Sequence, residues 1–206
     1  MPANAPGLEV FLNFPFDARY ERMYLALIAG VTVLGLNPRC VLEIKTTADR
    51  LNRLLKLISE CQYSIHDLSR VQLSADSPRC PRFNMPIELG MTVARADKVD
   101  SGNHWIVLEE KAYRLQKSLS DLNGYDPFVH RGTVTGLLQA LLDAFGNPAH
   151  SLSMTEMKAS YAALRMVAAQ LKVDNGWPDL YRAAAFRQLV VAANKLPSLG
   201  SQAAPR

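Results

Sequence analysis

Strand and helix patterns alternate along most of this 206-residue chain, and this alternation constrains the fold more than any other feature. Short apolar runs bounded by turn residues predict strands, whereas longer stretches with apolar residues on one helical face predict helices. The predicted strands are 8–14, 39–44, 63–68, 104–109 and 127–130. The predicted helices between and after them are 18–34, 48–61, 86–99, 113–122 and 133–145. Because this repetition implies parallel strands joined by right-handed crossovers, we expect a doubly wound, five-stranded parallel α/β sheet.

The last quarter of the chain has a different pattern, with two Ala-rich stretches that predict helices at 154–173 and 178–196. We therefore expect an α/β domain, a C-terminal helical extension and a flexible tail: 8–146, 150–197 and 198–206. Apolar residues at helical spacing in the extension either pack within the chain or join two subunits into a homodimer. These residues are Met154, Met157, Leu164, Val167 and Leu171.

Composition and charge exclude several classes of protein. The net charge of +4 is scattered, with no run of five or more like charges, so we do not expect nucleic-acid binding. The positive net charge of the protein is compatible with a small-molecule ligand that carries phosphate. No apolar run approaches the roughly 20 residues of a membrane span, and the first seven residues lack the pattern of a signal peptide. We therefore expect a cytoplasmic protein without a membrane segment.

Common cofactor and metal motifs are missing from the sequence. There is no GxGxxG after the first strand and no GxxxxGK[ST], and the four histidines lack metal spacing. Cys40, Cys61 and Cys80 form an odd set without CxxC spacing, which is typical of reduced, mostly buried thiols. We expect neither a cofactor nor a bound metal.

Ligands of open parallel sheets bind beyond the carboxyl ends of the strands, near the point where strand order reverses. The residues that follow the first and third strands are therefore the candidates for a site. They are Asn13, Phe14, Phe16, Asp17, His66, Asp67, Ser69, Arg82, Asn84 and Glu88. His66 is adjacent to Asp67 in a strand, so the two side chains should point to opposite faces, and we expect His66 to be a packed residue.

Two segments together carry a family resemblance. One is 63–69 (YSIHDLS), a strand ending in Asp67, and the other is 84–94 (NMPIELGMTVA), a helix opening with Glu88-Leu89-Gly90. This arrangement resembles the nucleoside 2-deoxyribosyltransferase family and is similar to the neighbouring TIR-like NAD-cleaving domains. The resemblance covers about residues 8–146 and implies a flavodoxin- or TIR-like sheet.

The resemblance implies an N-glycosidase or (deoxy)ribosyltransferase-like enzyme that acts on a nucleotide or nucleoside. Glu88 would be the nucleophile or the stabiliser of the sugar cation, and Asp67 would position the sugar or base. The family usually has an Asp six residues before the nucleophile, where this chain has Arg82. Arg82 suits a phosphorylated or dinucleotide substrate such as NAD better than a deoxynucleoside. Enzymes of the family often pair subunits, which agrees with the homodimer alternative.

The chemistry explains why a carboxylate is needed. Breaking an N-glycosidic bond builds positive charge on C1′, which a carboxylate beneath that carbon stabilises or captures. With Pro86 as the first helical residue, Glu88 would lie in the first turn, where the helix dipole keeps it ionised. Two alternatives remain: Glu88 only caps its helix, or the domain is a non-catalytic TIR-like nucleotide-binding or signalling module.

Overall fold

Five parallel strands form a single sheet at the centre of the protein. The computed structural model describes residues 8–44, 49–71, 79–96, 104–146 and 152–196. The strands are β1 (Glu9–Asn13), β2 (Asn37–Cys40), β3 (Tyr63–Asp67), β4 (His104–Glu109) and β5 (Phe128–Val129). Their order is β2-β1-β3-β4-β5, so the chain adds strands first on one side of β1 and then on the other. The predicted doubly wound α/β fold is confirmed.

Seven α-helices surround or extend this sheet in the described part of the chain. They are α1 (Glu21–Val33), α2 (Arg50–Glu60), α3 (Asn84–Ala96), α4 (Arg114–Ser118), α5 (Val134–Phe145), α6 (Met154–Asn175) and α7 (Ala183–Lys195). Two short 3₁₀ helices, Val41–Glu43 and Ser120–Leu122, replace the end of a predicted strand and the end of a predicted helix. The predicted flexible tail lies outside the described residues.

The two faces of the sheet bury different side chains. Alternate residues of β1 point in opposite directions, so Val10 and Leu12 join the core formed with α1 and α5. Phe11 instead packs against α2, in a separate apolar cluster. A third cluster joins β4 to α3 and α4 through Val107 and Leu89. Helices therefore cover both faces, and residues that point to either face of β1 are buried.

The C-terminal helices share the main core rather than forming a separate unit. Met157 and Leu164 of α6 are fully buried in the cluster that contains α1. Nζ of Lys172 also lies 2.9 Å from Oε1 of Glu21, which ties the end of α6 to the start of α1. Four of the five apolar residues predicted in α6 therefore pack within their own chain: Met154, Met157, Leu164 and Leu171. A homodimer through these helices stays a prediction. No described helix is both long and apolar enough to cross a membrane.

Candidate functional site

A cleft of about 560 Å³ opens beyond the carboxyl end of β1. Its walls come from the residues after β1 and β2, the first residue of α2 and the segment that enters α3. This is the point where strand order reverses, and the volume is within the range of ligand pockets. Six of the predicted site residues line the cleft: Asn13, Phe14, Phe16, Arg82, Asn84 and Glu88.

Glu88 is the acidic residue of the cleft lining. Helix α3 begins at Asn84, two residues before the predicted start, so Glu88 lies in the second turn rather than the first. The expectation that the helix dipole keeps this carboxylate ionised is therefore wrong. Burial raises the pKa of Glu88 to about 7, because desolvation disfavours the charged form, and the nearby positive charge of Arg50 only partly opposes this effect.

The capping role considered for Glu88 has no support in the geometry. The backbone N–H of Ile87 donates to the carbonyl of Phe83 at 3.0 Å, so the helix ladder is already formed at this point. Glu88 takes part in a bond through its backbone carbonyl, which accepts from the Thr92 hydroxyl at 3.1 Å. Its carboxylate forms no hydrogen bond or salt bridge within the ranges that the structure describes.

Asn13 connects the sheet to the start of α3. Its Nδ2 donates to Nδ1 of His66 at 2.9 Å and to the carbonyl of Met85 at 2.9 Å. Burial lowers the pKa of His66 to about 3, so this ring is neutral and accepts the bond from Asn13. The pair fixes the helix that carries Glu88 relative to β1, and His66 is a packed residue as predicted.

Asp67 and Ser69 lie away from the cleft, which corrects the prediction that Asp67 and Glu88 share one opening. Asp67 is 0% exposed, and its carboxylate accepts hydrogen bonds from the Tyr20 hydroxyl and from the backbone N–H and hydroxyl of Ser69. Nε2 of His130 lies 3.2 Å from Oδ2. Burial alone would raise the pKa of Asp67, but the hydrogen bonds from His130, Ser69 and Tyr20 outweigh it and lower the pKa.

This buried network contains a Ser, a His and an Asp but does not have the arrangement of a catalytic triad. Nδ1 of His130 accepts from the backbone N–H of Gly132 at 3.0 Å, so the neutral ring carries its proton on Nε2. That Nε2 faces both Asp67 and Ser69, at 3.2 Å and 2.8 Å. The Ser69 hydroxyl donates to Asp67 and not to the histidine. The histidine is therefore not placed to take the proton of the serine, which is the role it has in a catalytic triad.

Asp17 also lies outside the cleft lining, although it holds a residue of the cleft in place. Its Oδ1 accepts from the backbone N–H groups of Arg19 and Tyr20, both at 3.1 Å, and these bonds stabilise the turn before α1. Its Oδ2 lies 3.3 Å from Nη1 of Arg82. The Arg82 side chain remains 40% exposed, so this ion pair orients the guanidinium and leaves part of it open to the cleft.

The aromatic residues after β1 divide into buried and exposed ones. Phe14 and Tyr20 are buried in the main core. Phe16 is 38% exposed, and its ring stacks on Tyr181 with centroids 5.4 Å apart. Of the three rings, Phe16 is the one that a nucleobase could reach.

Sequence reasoning missed seven residues of the lining: Leu12, Val41, Arg50, Cys80, Pro81, Phe83 and Met85. Arg50 opens α2, the helix that follows β2, and extending the search from strand ends to the first residue of the next helix would have included it. Cys40 and Cys61 are buried as expected, whereas Cys80 is exposed at the cleft. The described residues contain no group of three or more His, Cys, Asp or Glu side chains that could hold a metal ion.

No protein-family model matches the chain, and no curated protein matches it.

Proposed function

We propose that this protein is an N-glycosidase or ribosyltransferase-like enzyme that cleaves the N-glycosidic bond of a nucleotide, and that Glu88 is its catalytic carboxylate. The proposal rests on the half-buried Glu88 side chain, which lines a ligand-sized cleft. Its carboxylate has no hydrogen-bond or salt-bridge partner among the described residues. A carboxylate in this position can face C1′ of a ribose as the bond to the base breaks.

The electron balance of the reaction favours a pyridinium nucleotide such as NAD. When the C1′–N bond of NAD breaks, its electron pair goes to the ring nitrogen and nicotinamide leaves as a neutral molecule. This departure needs no proton from the enzyme. A cleft in which Glu88 is the lining carboxylate, with Asp67 buried elsewhere, suits such a leaving group. An ordinary nucleobase would leave more readily with a general acid beside it.

The pKa of Glu88 supports the same choice of substrate. In the ligand-free cleft the pKa is raised to about 7, so a large fraction of the carboxyl groups is protonated at neutral pH. A cationic N-ribosylpyridinium placed against Glu88 favours the ionised form and lowers this pKa. The carboxylate then stabilises the C1′ cation or bonds to it through one oxygen. Attack by water on C1′ gives hydrolysis, and attack by another base gives transfer.

Turnover separates this proposal from the alternative of a non-catalytic nucleotide-binding module. Purified protein is incubated with NAD, with ribonucleosides and with deoxynucleoside monophosphates, and free base is measured by chromatography. Calorimetry records binding of the same compounds. We expect release of nicotinamide from NAD. Binding without any free base would contradict the enzymatic proposal and support the binding module.

A further inference from the structure

A second cleft, of about 480 Å³, adjoins the first one. The two share Phe16, Val41 and Arg50 as lining residues, so a ligand that passes over Phe16 reaches both. The far wall of the second cleft belongs to the C-terminal extension, which contributes Arg182 and Arg187. The extension therefore builds part of a continuous binding surface that starts at Glu88.

The second cleft is positively charged. Arg50, Arg182 and Arg187 line it, and its acidic lining residue is Glu43. The charge of Glu43 is already satisfied, because Nε of Arg39 donates to its carboxylate at 2.8 Å. Within the described ranges, neither Arg50 nor Arg187 forms a salt bridge. Arg50 lies near the Glu88 carboxylate of the first cleft and Arg182 near Asp179, so Arg187 is the lining guanidinium that has no carboxylate partner among the described residues.

The part of the C-terminal extension that lines the second cleft packs against the residues that follow β1, here called the β1 loop. The Tyr181 hydroxyl donates to the backbone carbonyl of Asp17 at 2.7 Å, and the Tyr181 ring stacks on Phe16. Arg182 lies over the ring of Trp177, with its guanidinium carbon 5.2 Å from the centroid, and its Nη2 is 3.5 Å from Oδ1 of Asp179. These contacts place Arg182 before any ligand arrives, which reduces the entropy lost on binding.

We infer that the second cleft binds the diphosphate of a dinucleotide substrate whose glycosidic bond lies at Glu88. This inference rests on the proposed function for the identity of the substrate. Guanidinium groups form paired, charge-assisted hydrogen bonds with phosphate oxygens, and three of them around one cleft suit a group with two negative charges. The ribose and its base occupy the first cleft, and the diphosphate passes Phe16 into the second.

The test compares the affinities of wild-type protein and its variants for NAD and for nicotinamide riboside, which has the same base and sugar but no phosphate. Arg187→Ala and Arg187→Glu are the main variants, because Arg187 is exposed and its replacement should not affect folding. Arg182→Ala is a second variant. Lys195→Ala is the matched control, since Lys195 is an exposed cation of the same helix outside both clefts.

We expect each Arg→Ala change to weaken NAD binding about tenfold, the usual size of one lost charge-assisted contact, and Arg187→Glu to weaken it more. Affinity for nicotinamide riboside should not change, and Lys195→Ala should bind both compounds like the wild type. Equal NAD affinity in the wild type and the arginine variants would overturn the inference, as would wild-type protein that binds NAD no more tightly than the riboside.

A parallel assay of nicotinamide release distinguishes the two proposals. Arginine-dependent NAD binding without base release would retain the diphosphate site and reject the glycosidase. Base release from NAD, together with arginine variants that bind NAD like the wild type, would retain the glycosidase and reject the diphosphate site.

Discussion

The carboxylates of Asp67 and Glu88 belong to opposite faces of the parallel sheet. Asp67 bonds to Tyr20, which packs in the core on the α1 face. Glu88 comes from α3, whose buried residues pack on the other face, where Asn13 ties His66 to Met85. The two acids therefore have different surroundings: Asp67 belongs to a buried network, and Glu88 lines the cleft.

Asp67→Asn should destabilise the protein without altering the cleft. The amide keeps the shape of the side chain but replaces one acceptor oxygen with a donor, facing hydroxyl and imidazole groups that are fully buried. We expect the free energy of unfolding to fall by about 1–3 kcal/mol, measured by urea denaturation. The exposed Asp143→Asn serves as control and should change stability by less than about 0.5 kcal/mol. An Asp67→Asn variant as stable as wild type would contradict the structural role.

Asn13→Ala should weaken the connection between the sheet and the helix that carries Glu88. The change removes the donor to both His66 and the Met85 carbonyl and leaves two buried acceptors without a partner. We expect a loss of about 1–3 kcal/mol in the free energy of unfolding. Thermal denaturation monitored by circular dichroism measures it, and an unchanged melting temperature would show that this connection is not important.

Gly136→Ala should be destabilising because the first turn of α5 approaches the backbone of His130 very closely. A Cβ at this position would lie 2.2 Å from the carbonyl oxygen of His130, and backbone cannot move aside as a flexible side chain can. We expect a cost of about 1–3 kcal/mol. Gly90→Ala on α3 is the matched control, since its Cβ would meet nothing within 4 Å. That change should stabilise the helix by about 0.5–1 kcal/mol, and the opposite order of the two melting temperatures would contradict this packing.

The alternation of strands and helices was sufficient to predict the fold, because each crossover buries its apolar face on the sheet and leaves few other topologies. The resemblance implied that Asp67 positions the sugar or base on which Glu88 acts, but alternate residues of a strand point to opposite faces of the sheet. Ile65 belongs to the α1 core, so Asp67, two residues later, points to the same face. His66, one residue earlier, points to the other face, as its position in the strand predicts.

Other parts of the site depend on contacts that no local pattern contains. The early start of α3 at Asn84 moves Glu88 out of the first turn, and the desolvation that raises its pKa comes from the walls of the cleft. Arg182 and Arg187 reach the second cleft only because α7 packs back towards the β1 loop. Sequence alone places these arginines in a helical extension and cannot bring them beside Phe16.

The raised pKa of Glu88 predicts how stability depends on pH. The folded pKa of about 7 lies above the ordinary value of 4.5, so the folded state binds more protons than the unfolded state between these values. The contribution of protonated Glu88 to stability is therefore full below about pH 4.5 and is lost as the pH rises through 7. Glu88→Gln cannot ionise, so it should be more stable than wild type at pH 8 but not at pH 4.

Urea denaturation of both proteins at several pH values measures this difference. A difference in stability that does not vary with pH would show that the Glu88 carboxyl titrates at its ordinary value and is not desolvated.

The most direct measurement of the central claim is the rate of nicotinamide release from NAD by Glu88→Gln at matched concentrations of folded protein. The exposed Glu60→Gln on α2, outside the first cleft, is the control and should release base at the wild-type rate. We expect Glu88→Gln to keep the fold and to lose at least about a hundredfold in rate, because the amide cannot stabilise the charge at C1′. Base release by Glu88→Gln at the wild-type rate would contradict the central claim.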